Sequence, residues 1–377
     1  MKFNINLCLV LLTCIPVFGQ VEVINDSINK MYVGTYTQKE GHVDGNAAGI
    51  YLLNQDPSTG SLEFIQTVAK VRNPSFVKVG RRGRYLFAVS ELGPKDGKTG
   101  FVYSYQIKPD GTLIELSKLS TGANAPCHIA LDRSGKFVFV SNYMGGVVAE
   151  YKIDEEGRLE LIKELKLGNQ ENSHAHSVKI SRDNRFAYIA DLGNDRIWIY
   201  KFDPATGKLT PHEQSFVKLP EGAGPRHLSF DKNGSYGYSI NELNSTLSTF
   251  KIGKDGKLEI IQTISSIPEK FKNKNSAADI HIDPEGKFLY ASNRGHESIA
   301  IFKIESKLGT LTNVDYVPIA GKTPRNFAIS PYGKYLYAAS QDTGNITIYK
   351  INQENGKLKP QEPVFNIKTP VCLEFIN

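Results

Sequence analysis

One phrase recurs along the chain, and it limits the possible folds more than any other feature of the sequence. Its core is aromatic-x-aromatic followed by small residues, as in YLFAVSEL, FVFVSNYM, FAYIADLG, YGYSINEL, FLYASNRG and YLYAASQD, with a reduced copy, MYVGTYT, near residue 32. The second aromatic residue of each copy is Tyr32, Phe87, Phe139, Tyr188, Tyr238, Tyr290 or Tyr337. Alternating apolar residues and Gly-x-Leu turns follow each copy. A repeat of about fifty residues with these signals predicts four short strands per copy.

Seven such copies predict an all-β fold, a seven-bladed β-propeller of four-stranded antiparallel blades. The first copy lacks a strand before its aromatic phrase, whereas a spare strand, 369–375, follows the last copy. We therefore expect the C-terminal strand to join the N-terminal blade, because a closed ring leaves no open sheet edge. Residues 20–377 are predicted to form this single domain.

The first nineteen residues have a different pattern. Lys2 precedes an apolar run over 7–15, and Val17-Phe18-Gly19 offers a small-residue cleavage site. This pattern predicts a secretory signal peptide, 1–19, cleaved after Gly19, and its run is too short to span a bilayer. Lipidation at Cys14 is a disfavoured alternative, because Leu12-Thr13 does not match the usual small-residue pattern. We expect an exported protein with no transmembrane segment in the mature chain.

Composition narrows the possible partners. The chain has 45 basic and 39 acidic side chains, a net charge of +6, with no basic block. A dispersed excess mildly favours a small anionic ligand and disfavours nucleic acid. Cys127 and Cys372 are the cysteines left outside the predicted signal, and they are interpreted as buried thiols and not as a disulfide framework.

The copies differ most where each blade begins. The two residues before a shared apolar position are Ser75/Phe76, Cys127/His128, His176/Ser177, Arg226/His227, Ala278/Asp279, Arg325/Asn326 and Val371/Cys372. In an antiparallel blade the start of the first strand lies beside the end of the second. Four residues beyond the second aromatic, that end carries Tyr36, Glu91, Tyr143, Leu192, Glu242, Arg294 and Gln341.

Both sets should meet at one mouth of the central channel. There we expect three arginines, three histidines and three acids to line a pocket: Arg226, Arg294, Arg325, His128, His176, His227, Glu91, Glu242 and Asp279. The alternative is that these groups only satisfy hydrogen bonds between blades. Long connections at 38–48, 93–100 and 265–277 are expected to form walls on the same face.

Other chemical signals are weak. His174/His176 and Asp279/His281 have metal-type spacing but lack a third ligand nearby, so no metal and no cofactor is predicted. Gly-x-Ser-x-Gly elbows and phosphate loops are absent from the sequence. His42, His212 and His296 are interpreted as surface or loop residues.

The segments GAGPRH (222–227), NELN (241–244), ADIH (278–281) and TPR (323–325) closely resemble the bacterial 6-phosphogluconolactonases of the seven-bladed propeller type. The related fungal carboxymuconate-lactonizing enzymes share the layout, and the similarity covers the chain from about residue 30. The resemblance implies hydrolysis of a sugar δ-lactone, most simply 6-phospho-D-glucono-1,5-lactone.

By motif matching, the resemblance implies His176, Arg226 and Glu242 as catalytic residues. A second functional arginine falls on Arg294 or Arg325. His128, His227, Asp279 and Gln341 complete the predicted substrate-binding set. The predicted signal peptide departs from these cytoplasmic relatives. It leaves open an exported lactonase for an unphosphorylated aldonolactone or oxidised sugar, or a non-catalytic propeller that binds a sugar acid or a protein.

Overall fold

The computed structural model describes residues 28–168 and 171–376. The predicted signal peptide and Cys14 lie outside these residues. Within them, seven four-stranded antiparallel sheets surround a central channel, which confirms the predicted propeller. No helix in the described part of the chain has the length and apolar character needed to cross a membrane.

The strands of the first half are β1 (Asn29–Thr35), β2 (Lys39–Glu40), β3 (Val43–Asp44), β4 (Ile50–Gln55), β5 (Leu62–Ala69), β6 (Val77–Val79), β7 (Tyr85–Ser90), β8 (Phe101–Ile107), β9 (Leu113–Ser120), β10 (Pro126–Leu131), β11 (Phe137–Asn142), β12 (Val147–Ile153), β13 (Leu159–Lys166), β14 (Ala175–Ile180) and β15 (Phe186–Asp191). Those of the second half are β16 (Arg196–Phe202), β17 (Leu209–Lys218), β18 (Pro225–Phe230), β19 (Tyr236–Asn241), β20 (Thr246–Ile252), β21 (Leu258–Ser265), β22 (Ser276–Ile282), β23 (Phe288–Arg294), β24 (Ser298–Ile304), β25 (Leu311–Pro318), β26 (Pro324–Ile329), β27 (Tyr335–Ser340), β28 (Asn345–Ile351), β29 (Leu358–Asn366) and β30 (Pro370–Phe375). Short 3-10 turns cover Arg81–Gly83 and Leu192–Asn194.

The ring closes as the sequence predicts. Blade 1 has the order β30-β1-β4-β5, and Leu373 of β30 lies opposite Val33 of β1. The other six blades each use four strands that are consecutive in the chain. The channel is lined by the innermost strands, which are β30, β6, β10, β14, β18, β22 and β26.

The hydrophobic core consists of layers between neighbouring blades. Seven clusters of buried apolar side chains each join two adjacent blades, including blades 7 and 1. The repeated second aromatic residue adds a polar link between blades. The hydroxyl of Tyr337 in blade 7 donates to the carbonyl of Gly60 in blade 1 at 2.9 Å, and Tyr238 makes the same bond to Gly309 of the next blade. The aromatic repeat therefore fastens each such blade to its neighbour.

A β-bulge interrupts most innermost strands just after they begin. In β18 the register shifts between Pro225 and His227. As a result, the side chains of the consecutive residues Arg226 and His227 lie on the same side of the strand and contact each other, with Arg226 Nη1 3.3 Å from His227 Nε2. Strict alternation would send them to opposite faces of the sheet. The bulge thus doubles the number of side chains that a blade presents to the channel.

One sequence interpretation is wrong. His212 lies in β17 with its side chain almost fully buried, and its Nε2 is 2.7 Å from the carbonyl oxygen of Asp255. That carbonyl belongs to a turn of the next blade, so the burial of His212 depends on a contact that the local pattern does not reveal.

Candidate active site at the mouth of the central channel

The start of each innermost strand and the end of its neighbour meet at one face, as predicted. We define the rim cluster by the side chains gathered there: Tyr36, Ser75, Glu91, His176, Arg226, Glu242, Arg294 and Arg325. The three long connections predicted for this face lie between strands whose ends meet it. The wall formed by 38–48 carries the small hairpin β2-β3 and bonds through Asn46 to Thr369, which precedes β30.

Glu242 holds two of the arginines together. Its Oε2 lies 3.0 Å from Arg226 Nε, and its Oε1 lies 3.0 Å from Arg294 Nη2. Burial raises the pKa of Glu242, but the charges of Arg294 and Arg226 outweigh burial and lower it to about 2. Glu242 is therefore ionised at neutral pH and acts as a counter-ion.

Arg226 is the most buried of the three arginines, with 2% exposure. Burial, followed by the charges of Arg294 and Arg325, lowers the pKa of Arg226 to about 10, so it stays charged at neutral pH. Its Nη1 donates to the carbonyl of Ala278 at 2.7 Å. Its Nε–H makes no hydrogen bond to the described residues despite the nearby carboxylate of Glu242, because the bond is poorly aligned. No hydrogen bond from its Nη2 to the described residues is formed either, so Arg226 keeps donors that are left over.

Arg325 and Arg294 differ in how fully they are engaged. The guanidinium of Arg294 donates to Ser276 and Ala277 in addition to its ion pair. Arg325 has a single, long ion pair, 3.9 Å from Glu91 Oε2, and packs over the ring of Tyr36. Hydrogen bonds from Arg325 are absent among the described residues, so its donors remain available.

Glu91 is the second acid of the rim cluster. Its Oε2 accepts a hydrogen bond from the hydroxyl of Tyr36 at 2.9 Å and a short one from Ser75. Tyr36 and Ser75 stand in the variable columns of the sequence but are not among the predicted site residues. Their contact with Glu91 became visible only once the blades were placed side by side.

His176 is an almost fully buried member of the rim cluster and is neutral. Burial, then the charges of Arg226 and His227, hold the pKa of His176 well below its usual value. Its Nδ1 is buried without a hydrogen-bond partner among the described residues. Its ring packs edge-on against Tyr143 and against His227, at 6.0 and 5.2 Å between centroids. An unpartnered, neutral imidazole next to a guanidinium is suited to accept a proton.

A second ring of side chains lies one step deeper in the channel. His227 has its pKa lowered to about 4, chiefly by burial and Arg226, so it is neutral and its Nδ1–H donates to Asp279 Oδ1 at 2.7 Å. Asp279 Oδ2 accepts from His281 and Asn326 at 2.9 and 2.5 Å. The predicted Asp279 and His227 therefore meet, but below the rim and not on it.

A cavity lies below the rim cluster. We call it the lower chamber; it has a volume of about 510 Å³ and is lined in the second ring by Phe76, His128, His227, Asp279, Asn326 and Cys372. His128 packs on Phe76 at 4.6 Å and on His227 at 5.3 Å. The catalytic candidates His176, Arg226 and Glu242 do not line this chamber. The ion pairs of the rim cluster close its upper end.

Three further predictions concern Gln341, the cysteines and metal binding. Gln341, a predicted substrate-binding residue, is buried at the rim face, and its amide donates to Asp342. Cys127 and Cys372 are free, buried thiols, as expected. Across residues 28–168 and 171–376, no group of three or more His, Cys, Asp or Glu side chains could hold a metal ion.

The fold and the rim cluster together define a seven-bladed propeller with a cluster of charged side chains at one mouth of its channel. The family model described as "Lactonase, 7-bladed beta-propeller" matches residues 30–375, and the chain belongs to that family. It is 35% identical over 350 residues to a 6-phosphogluconolactonase of Formosa agariphila, covering 89% of this chain and 97% of the relative. The 6-phosphogluconolactonase of Bacillus subtilis is 31% identical over 355 residues, covering 92% and 98%.

The likeness to a solved structure agrees with this family assignment. The periplasmic gluconolactonase PpgL of Pseudomonas aeruginosa superposes with a TM-score of 0.86 at 30% identity, covering 93% of this chain and 99% of that chain. The likeness therefore extends over the whole propeller and is not limited to single blades.

Proposed function

We propose that this protein is a carboxylic-ester hydrolase that opens a sugar δ-lactone, of the 6-phosphogluconolactonase type. One observation carries the proposal: in a chain of the lactonase family, a neutral, buried His176 with an unpartnered Nδ1 lies within the electrostatic influence of charged Arg226 and available Arg325. The two curated relatives above are both named for this activity. The reaction converts 6-phospho-D-glucono-1,5-lactone and water to 6-phosphogluconate.

The proposed chemistry assigns one task to each group. His176 accepts a proton from water as the hydroxide oxygen bonds to the lactone carbonyl carbon. A leftover donor of Arg226 stabilises the oxyanion, a contribution of about 3 kcal/mol for a fixed donor in a dry site. The bond from that carbon to the ring oxygen then breaks, and the ring oxygen takes the proton from His176. The product is a carboxylic acid with a free hydroxyl group, and the acid then releases its proton to solvent to give the carboxylate.

Glu242 and Arg325 have supporting tasks in this proposal. Glu242 keeps Arg226 in place and is too acidic to serve as the base at neutral pH. Arg325 binds the anionic group of the substrate, because its guanidinium makes no hydrogen bond to the described residues, whereas Arg294 already donates to Ser276 and pairs with Glu242. His176 and Arg226 are almost fully buried, so the rim side chains must separate when substrate enters.

A second substrate is favoured by a specific observation. The predicted signal peptide would place the protein outside the cytoplasm, and PpgL is named a periplasmic gluconolactonase. An unphosphorylated aldonolactone is therefore the second candidate substrate. The cationic, anion-binding site at Arg325 argues for the phosphorylated lactone, and comparing hydrolysis of the two lactones distinguishes these alternatives.

The deciding experiment is pH-stat hydrolysis of D-glucono-1,5-lactone and its 6-phosphate by the purified protein, corrected for spontaneous opening. We expect His176→Ala to lower kcat by at least about a hundredfold with little change in KM. The buried His212, in an outer strand, is the matched control, and His212→Gln should keep kcat. Unchanged kcat in His176→Ala would remove the base assignment, and inactivity of the wild type on a wider lactone panel would favour a non-catalytic propeller.

Arg325→Met separates the two substrates. It should raise KM for the phosphorylated lactone far more than for the unphosphorylated lactone, because only the former carries the charge that Arg325 binds. The exposed Arg158 provides a control, since Arg158→Met removes equal charge far from the channel. Equal effects of Arg325→Met on both substrates would contradict the assignment.

A further inference from the structure

A third ring of side chains lines the channel at the end opposite the rim cluster. Two residues beyond the second ring, the innermost strands carry Lys78, Lys179, His281 and Glu374, interleaved with small residues in the other blades. All four line the lower chamber. The chamber thus has its own charged ring, which is separated from the rim cluster by the layer of His227 and Asp279.

The acids of this region are already engaged. Glu374 Oε1 lies 2.6 Å from Lys78 Nζ and also accepts from the backbone of Val79. Asp279 is held by two histidines and Asn326. Asp132, at the end of β10, accepts four backbone or hydroxyl bonds from its own turn and one from Asn184. The lower chamber therefore has no spare carboxylate for another cation.

Lys179 is the cation without a counter-ion. Its ammonium group makes neither an ion pair nor a hydrogen bond to the described residues. Burial, then the charges of Lys78 and Arg133, lowers the pKa of Lys179 to about 8, and the distant Asp279 offsets this only in part. Arg182 acts in the same direction as Lys78. A cation held in such surroundings gains from an added anion, because buried charges require a partner.

We propose that the lower end of this chamber binds a small oxyanion, a phosphate or carboxylate group, with the ammonium of Lys179 as its main donor. The small side chains of Ala130 and Ser229, in the two neighbouring blades, line the same chamber as Lys179 and leave space for it. A cavity of about 510 Å³ is ample for one such group with bound water. The site lies on the channel axis but shares no side chain with the catalytic assignments at the rim.

Isothermal titration calorimetry with inorganic phosphate and with acetate, on the purified full chain at pH 7, tests this proposal. We expect the Kd for phosphate to rise by at least about tenfold in Lys179→Met, since the loss of one charge-assisted hydrogen bond weakens binding by about this factor. Lys251→Met, which removes an exposed lysine of blade 5, should bind phosphate as the wild type does. Competition by acetate would extend the site to carboxylates, and its absence would restrict it to phosphate.

Binding at the rim is distinguished by Arg325→Met. If that variant loses phosphate binding and Lys179→Met keeps it, the proposal is overturned; no phosphate binding by the wild type at about 10 mM overturns it too. Should Lys179→Met fail to fold, a wild-type crystal soaked in selenate replaces it, and an anomalous peak next to Lys179 Nζ is the expected result. A soaked crystal without that peak would refute the site. These readouts are independent of lactone turnover.

Discussion

Replacing Glu242 by Gln is predicted to destabilise the protein strongly at neutral pH. The side chain keeps its shape, but two buried guanidinium groups lose their counter-ion, 3.0 Å from each. A tenfold change in proton affinity corresponds to about 1.4 kcal/mol. The lowering of the Glu242 pKa from 4.5 to about 2 thus corresponds to about 3 kcal/mol of stability at pH 7. Loss of one partner of a buried pair has a similar cost, about 3–5 kcal/mol.

The pH dependence has a definite sign. A carboxylate with a lowered pKa in the folded state stabilises fully above its unfolded pKa of 4.5, and this contribution is lost as the pH falls toward 2. The difference in unfolding free energy between wild type and Glu242→Gln should therefore shrink by about 1 kcal/mol at pH 4 and by about 2 kcal/mol at pH 3.

Urea unfolding at pH 7, 4 and 3 measures the difference. Glu213→Gln is the matched control, because Glu213 pairs with Lys201 on the exposed surface and its loss should be undetectable. A difference below about 1 kcal/mol at pH 7, or one that is the same at pH 7 and pH 3, would refute the view that Glu242 is the buried counter-ion of the rim cluster.

Two further predictions concern the blade links and the base. Tyr337→Phe should lower the unfolding free energy by about 1–2 kcal/mol in urea titrations, because the buried carbonyl of Gly60 loses its donor; a change within error would show that the link is not stabilising. Because the pKa of His176 lies well below 6.5, kcat/KM for a lactone should stay level from pH 7.5 to pH 6, after correction for spontaneous opening. An inflection near pH 6.5 would contradict a neutral, buried His176.

The fold was predictable because its signal is repeated. Seven aromatic phrases, a missing strand before the first and a spare one after the last leave few alternatives, and β30 beside β1 confirms the expected closure. The meeting of Arg226 with Glu242 also followed from antiparallel pairing alone. Contacts such as that of His212 with Asp255 come from the next blade, so a local pattern cannot reveal them.

The layering of the channel was harder to predict from the sequence than the fold. The predicted site residues come from the two columns before the shared apolar residue, and Lys179 stands one residue beyond that apolar position. Asp279 and His227 were expected at the rim, yet they form a deeper ring. Their depth depends on bulges and on how far each side chain reaches, and neither is encoded in spacing.

The pairing of β30 with β1 has a consequence for how the protein is made. The first blade to be synthesised cannot be completed until all the others have emerged, since its innermost strand comes after them in the chain. Until then β1 presents an unsatisfied backbone edge to whatever strand is near, including that of a second nascent copy. Closure of the ring should therefore be the last step of folding, and the edge of β1 needs protection from foreign strands until β30 has emerged.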